Sequence, residues 1–278
     1  MTTLREQEVK AYFSRDLTAS QWWEPEGDRD RYHFSTEKRI LEGELTFDPT
    51  WRVLDVGCGQ GRYTIWFAQK GGRVTGVDIS HEMLDLCRHN AEVAGVSDRV
   101  DLVLSDAEHL SQIENERFDV VSCMGTLVHL PDLARATTNM VRTLRPGGRF
   151  VFTFASADSL HGRLVSAYFS NRSFGKLLAR GESFTQVARP LPLDNTIKVL
   201  ERAGLSDFRL FGIGLLFLFV RPELRDKAAV RLLRRLSIME EQLKPYYSDR
   251  RLVRLSATVL GTGTRTDTGE TDPTWSSS

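Results

Sequence analysis

A glycine triplet, three acids and one histidine carry the chemistry legible in this chain. Gly57, Gly59 and Gly61 follow an apolar stretch, residues 53–56, that contains the acid Asp55. Three missing side chains in so short a span let a loop turn sharply and let a ligand approach the main chain. Asp78 closes the next apolar stretch, residues 73–77, and Asp106 follows a third, residues 100–104. A carboxylate at a strand end can accept both hydroxyls of a ribose. One beyond the neighbouring strand can accept an exocyclic amine, while the Ala107 N–H donates to a ring nitrogen. A strand, a Gly-x-Gly-x-Gly turn, a helix and an acid ending the next strand make a nucleoside site. The competing assignments are a helix cap for Asp78 and a plain turn residue for Asp106.

The glycine spacing says which nucleoside. A dinucleotide fingerprint places its third glycine one position later, with a pyrophosphate over the helix start. Here Asp55 stands beside the loop, where it would repel a pyrophosphate and suit a cation. Asp55 either orients the loop or faces that cation. Farther on, His129 lies in the stretch Met124-Gly125-Thr126-Leu127-Val128-His129-Leu130-Pro131. A histidine titrates near neutrality and can take a proton from a hydroxyl or an amine. Its alternative is structural: packing beside the ligand and capping the next helix.

Five stretches, in order, resemble the motifs of the class I S-adenosylmethionine-dependent methyltransferases. Leu54-Asp55-Val56-Gly57-Cys58-Gly59-Gln60-Gly61 is similar to their motif I. Gly76-Val77-Asp78-Ile79-Ser80 resembles the ribose-binding strand end, and Ser105-Asp106-Ala107-Glu108 the adenine-edge segment. Phe118-Asp119 through Gly125 resembles the fourth strand, and Leu144-Arg145-Pro146-Gly147-Gly148 the turn before the fifth. The segment around His129 resembles that of the magnesium-protoporphyrin O-methyltransferases, where the histidine is thought catalytic, and of the ubiquinone-biosynthesis-like group. The match spans about residues 50–155.

That resemblance implies a cofactor, S-adenosyl-L-methionine, and a product, S-adenosyl-L-homocysteine. It implies methyl transfer to an oxygen or nitrogen of a small molecule. Asp55, Gly57, Cys58, Gly59 and Gly61 would form the loop under the methionine tail. Asp78 would hold the ribose, and Ile79 and Met83 would supply apolar surface to the adenine. Met83 has a second reading, as part of a core stripe with Leu84 and Leu86. Asp106, Ala107 and Glu108 would meet the adenine edge, Met124 the methionine half, and His129 the acceptor's proton. The rival readings are a protein or RNA methylase and a non-catalytic cofactor-binding subunit.

The implied fold is α/β: a Rossmann-like, doubly wound, seven-stranded and mostly parallel sheet, antiparallel in its last strand, with helices on both faces. Around it the sequence predicts a helical cap in residues 1–50, with a helix over residues 32–45. Trp22, Trp23, Tyr32 and His33 either line a lid there or pin an arm to the core. The methyltransferase core is expected over residues 51–262. Within it, residues 156–195 outrun an ordinary crossover and hold several aromatic and basic residues, which suggests a substrate-covering helical insertion. Asp194 or Asn195 is expected to cap the following helix. Residues 224–244 form an arginine-rich amphipathic helix, either solvated or touching an anionic membrane. Residues 252–260 fit the last strand, and the polar residues 261–278 a flexible tail.

Composition narrows the classes. Lys+Arg and Asp+Glu both number 37, so the formal net charge is zero and no global field would gather nucleic acid. Hydrophobic content of 41% suits a large soluble domain, and no apolar run is long enough to span a bilayer. The three cysteines, Cys58, Cys87 and Cys123, read as reduced small hydrophobes of a cytoplasmic protein. No spacing suits a metal.

Overall fold

The computed structural model describes residues 28–159, 188–214 and 248–266, with Gln7, Ala11 and Arg163 placed singly. Trp22, Trp23, most of the expected insertion, the 224–244 helix and the end of the chain lie outside these residues, as does the Tyr32 side chain. Among the described residues no helix is long and apolar enough to cross a membrane.

The elements follow in alternation. They are α1 (Asp28–Glu44), β1 (Arg52–Val56), α2 (Arg62–Gln69), β2 (Arg73–Asp78), α3 (His81–Val93), β3 (Val100–Leu104) and β4 (Phe118–Met124). After a 3-10 turn at Leu127–His129 come α4 (Leu133–Thr143), β5 (Leu144–Ala155), α5 (Leu193–Arg202), β6 (Leu205–Ile213), α6 (Arg250–Leu255) and β7 (Thr258–Arg265). The strands form one seven-stranded sheet in the order β3-β2-β1-β4-β5-β7-β6. β1 to β5 run parallel to one another, and β7 runs antiparallel to both β5 and β6. This is the expected doubly wound sheet.

Both faces are covered, which is why the parallel strands read as near-continuous apolar runs. Phe150, Phe152 and Phe154 of β5 point one way, into a cluster with Met140 of α4 and Leu193 and Leu200 of α5. Val151 points the other way, toward Leu41 of α1 and Trp66 and Phe67 of α2. Gly261 of β7 faces Phe152, and a Cβ there would come within 2.2 Å of the ring. The direction of winding reverses between β1 and β4, and such a switch point opens a crevice beyond the strand ends.

Three element assignments need correction. The helix expected over residues 32–45 begins one turn earlier, at Asp28. The last strand is Thr258–Arg265, not residues 252–260, so it extends into the stretch expected to be a tail. Residues 250–255 are helical because the Asp249 carboxylate caps them and the Ser256 hydroxyl bonds back to the Leu252 carbonyl. Asp194 does not cap α5, which starts at Leu193; it pairs with Arg250, at 3.2 Å, and with Arg254.

Candidate active site

The glycine loop is built from local demands. Gly57, Gly59 and Gly61 all have positive φ, at 72°, 53° and 93°. Two of them also make room inside the protein. A Cβ on Gly57 would lie 2.2 Å from the Thr126 hydroxyl, and one on Gly61 would lie 2.6 Å from Cys87 Sγ. Gly59 alone of the three has open space where a Cβ would point. The loop is tied down by its neighbours: the Gly57 and Cys58 N–H groups donate to the Val77 carbonyl, and Asn90 Nδ2 donates to the Gln60 carbonyl at 3.0 Å.

Asp78 ends β2 beside this loop. One of its oxygens accepts the Gly59 N–H at 2.9 Å and the other the Ser80 N–H at 2.9 Å. Burial pushes its carboxyl up, and these backbone donors draw it partly back. Capping of α3 falls to Ser80, whose hydroxyl accepts the Met83 N–H, so Asp78 is left facing the crevice. Asp55, in β1, is 2% exposed and accepts the Thr64 hydroxyl at 2.7 Å. Burial raises its carboxyl to about 6. Asp55 therefore braces the start of α2 against the strand that carries the loop.

Asp106 lies past the end of β3. Its Oδ1 accepts the Glu108 N–H at 2.6 Å, and His109 Nδ1 sits 2.7 Å from its Oδ2. Glu108 is buried, and its carboxylate turns toward α4, accepting the Asp132 N–H at 2.8 Å. Asp132 in turn caps α4 through Arg135, so the capping alternative considered for His129 falls to Asp132. His129 ends the 3-10 turn, 7% exposed, with its N–H on the Thr126 carbonyl at 2.9 Å.

One cavity of about 640 Å³ crosses the strand ends and collects every residue assigned from the sequence to the cofactor or to the acceptor's proton, except Gly61. Asp55, Gly57, Cys58 and Gly59 line its floor; Asp78, Ile79, Met83, Asp106, Ala107 and Glu108 line the β2–β3 end; Met124 and His129 line the β4 side. Met83 is buried, at 4% exposure, and also lines the cavity.

The matched sequence motifs agree with this geometry. Residues 54–152 match the family model described as a methyltransferase domain. Over 217 residues the chain is 35% identical to the ubiquinone biosynthesis O-methyltransferase of Coxiella burnetii (strain RSA 331 / Henzerling II), covering 76% of this chain and 88% of that one. The chain belongs to the class I S-adenosylmethionine-dependent methyltransferases. It is also 39% identical over 157 residues to the methyltransferase GfsG of Streptomyces halstedii, covering 56% of this chain and 52% of that one. Among solved structures, it superposes on a possible histamine N-methyltransferase of Thermotoga maritima with a TM-score of 0.60 at 18% identity, covering 92% and 99% of the two chains. The geranyl diphosphate C-methyltransferase of Streptomyces coelicolor A3(2), solved with S-adenosyl-L-homocysteine, gives 0.61 at 15% identity, covering 95% and 98%. These likenesses show the fold. The cofactor of this methyltransferase is S-adenosylmethionine.

Several residues of the methyltransferase's cavity escaped the sequence reading. Glu37 of α1 and Tyr63 of α2 both line it, the Tyr63 hydroxyl donating to Glu37 Oε2 in a short buried hydrogen bond. Burial raises the Glu37 carboxyl to about 7, against the pull of Tyr63 and the nearby Arg62 guanidinium. The Tyr63 phenol is pushed up by burial and by that carboxylate. Thr153 of β5 also escaped; its hydroxyl accepts the Gly125 N–H at 2.8 Å and sets the turn after β4. An acid one turn from a histidine on an amphipathic helix gave no usable signal, because exposed helix faces look the same in sequence.

Proposed function

We propose that the enzyme methylates an oxygen or nitrogen of a small-molecule acceptor by in-line displacement, releasing S-adenosyl-L-homocysteine. The observation that carries this reading is the cavity across the strand ends. Its volume of about 640 Å³ falls in the range of small-molecule sites, and α1 walls it with His33 and Glu37. A relative sharing 35% identity acts in ubiquinone biosynthesis as an O-methyltransferase, which supports an acceptor of that size.

In this reading Asp78 accepts the ribose hydroxyls, and Asp106 with the Ala107 N–H meets the adenine edge. Ile79 and Met83 lie against the adenine face. The open side of Gly59 fits a ligand lying against the main chain, and the acids along the floor suit a cation rather than a pyrophosphate. When bound, the cofactor supplies an activated methyl group. The chain's own part is alignment and dryness: holding two reactants in line is worth roughly 7–11 kcal/mol of barrier. His129, buried at the β4 side, takes the acceptor's proton as its nucleophile loses it. The enzyme works in the cytoplasm.

Incubation with tritiated S-adenosylmethionine and cell extract, followed by separation of small molecules from macromolecules, tests the proposal. Label in the small-molecule fraction is expected. Label confined to protein or RNA would replace the acceptor class, and no labelled product at all would favour a non-catalytic role.

A further inference from the structure

Glu37 and Tyr63 form an ionisable pair that no step above uses. The pair lies at a defined place. α2 begins directly after the glycine loop, and Tyr63 is in its first turn. α1 crosses above, bringing Glu37 to Tyr63, while His33, one turn earlier, packs on Gly214 just past the end of β6. Glu37 therefore stands over the loop that follows β1. The acids Asp78 and Asp106 lie to the other side, past β2 and β3.

A cofactor whose nucleoside lies toward β2 and β3 must send its amino-acid tail over the glycine loop. That tail carries an α-ammonium, and Glu37 is the carboxylate of α1 that lines the cavity there. Arg62 and Tyr63 of α2 act directly on Glu37; Asp55 of β1, which acts on Tyr63, and His33 of α1 line the same cavity. Lys38 turns away, its Nζ 4.1 Å from the centre of the Phe34 ring. Asp55 is already engaged by Thr64. Glu37 keeps a second carboxylate oxygen beyond the one that Tyr63 holds.

We propose that Glu37, oriented by Tyr63, is the anionic partner of the cofactor's α-ammonium. This rests on the reading that the cavity holds the cofactor across the strand ends. It has a consequence for protons. Burial leaves the Glu37 carboxyl largely protonated below about pH 7 in the free enzyme. A cation beside it favours the charged form. Binding of the tail then converts the carboxylic acid to carboxylate and passes one proton to the buffer.

Calorimetry on the full chain tests this, with S-adenosyl-L-homocysteine titrated in two buffers of different ionisation enthalpy. Release of more than about half a proton per site is expected near pH 6, and almost none near pH 8. The probe 5′-methylthioadenosine, which keeps the nucleoside and lacks the amino-acid tail, should release none. Glu37→Gln should abolish the release and weaken S-adenosyl-L-homocysteine about tenfold or more near pH 8. Its affinity for 5′-methylthioadenosine should stay within about twofold. Release that persists in Glu37→Gln, or equal weakening of both ligands, would overturn the proposal. Wild-type binding with no proton release at pH 6 would also overturn it, without needing any variant to fold. Failure of the wild-type chain to bind either ligand would instead sink the cofactor placement on which the proposal rests.

Discussion

The two ends of the cavity are built differently. At the β2–β3 end the acids are held mainly by neighbours in sequence: Asp78 by Ser80 and Asp106 by Glu108, each two residues on, with the Gly59 N–H as a longer tie to Asp78. At the other end the partners are distant. Glu37 and Tyr63 are 26 residues apart, Thr126 and Gly57 69, and Gly125 and Thr153 28. A local constellation survives small shifts between elements, because each strand end and its own turn carry most of it. A long-range one exists only when α1, α2 and the turn after β4 are docked together. The nucleoside end is thus preformed by the sheet. The end where chemistry is proposed is completed by packing.

The sharpest way to break this contrast is at His129. If it accepts the acceptor's proton, His129→Gln lowers turnover by about a hundredfold or more. The cofactor's affinity should be unchanged. Steady-state rates on the acceptor found by the labelling assay check this, and undiminished turnover removes the base.

Glu37 makes a stability prediction of opposite sign to the usual carboxylate. Unfolded, its carboxyl titrates near 4.5; folded, it keeps its proton to about 7. The folded state binds more protons in that window, so this group's contribution is complete below pH 4.5 and is lost as pH rises through about 7. At about 1.4 kcal/mol per pKa unit the loss is on the order of 3 kcal/mol. Urea unfolding near pH 5 and pH 8 should show wild type losing more stability than Glu37→Gln. Parallel curves would mean that the carboxyl is solvated in the folded chain.

At the preformed end, Asp78→Ala should weaken S-adenosyl-L-homocysteine about a hundredfold, since two ribose hydrogen bonds and the Gly59 tether go together. Calorimetry measures it, and an unchanged affinity would put the nucleoside elsewhere. The smallest expected effect joins the two ends. Gly57→Ala should cost about 2 kcal/mol, from its positive φ and the clash with Thr126. Adding Thr126→Ala should relieve the clash and leave the backbone strain, so thermal unfolding should recover only in part.

The contrast also explains what could be read in advance. The first five strands, the glycine loop, the placing of Asp78 and Asp106 on one cavity and the sheet class were legible because each is a short pattern whose meaning is local. Glu37 was not legible: its importance comes from Tyr63, and no periodicity joins the two. The last strand was misread because residues 252–260 alternate plausibly, whereas the caps at Asp249 and Ser256 fold their first part into a helix. Gly261 and Gly263 looked like tail residues. They are strand residues, kept small by Phe152 and Phe208 across the sheet.

By itself, then, the sequence determined a strand–loop–helix unit, the acids beside it and the cationic nucleoside they suit. These depend on backbone freedom and on side chains a few residues apart. Tertiary structure alone decided which residues of the expected N-terminal cap line the cavity and that Glu37 is buried against Tyr63. It also decided that His129 faces the same space. A side chain's burial and its proton affinity are set by what packs over it, and what packs over it comes from elsewhere in the chain.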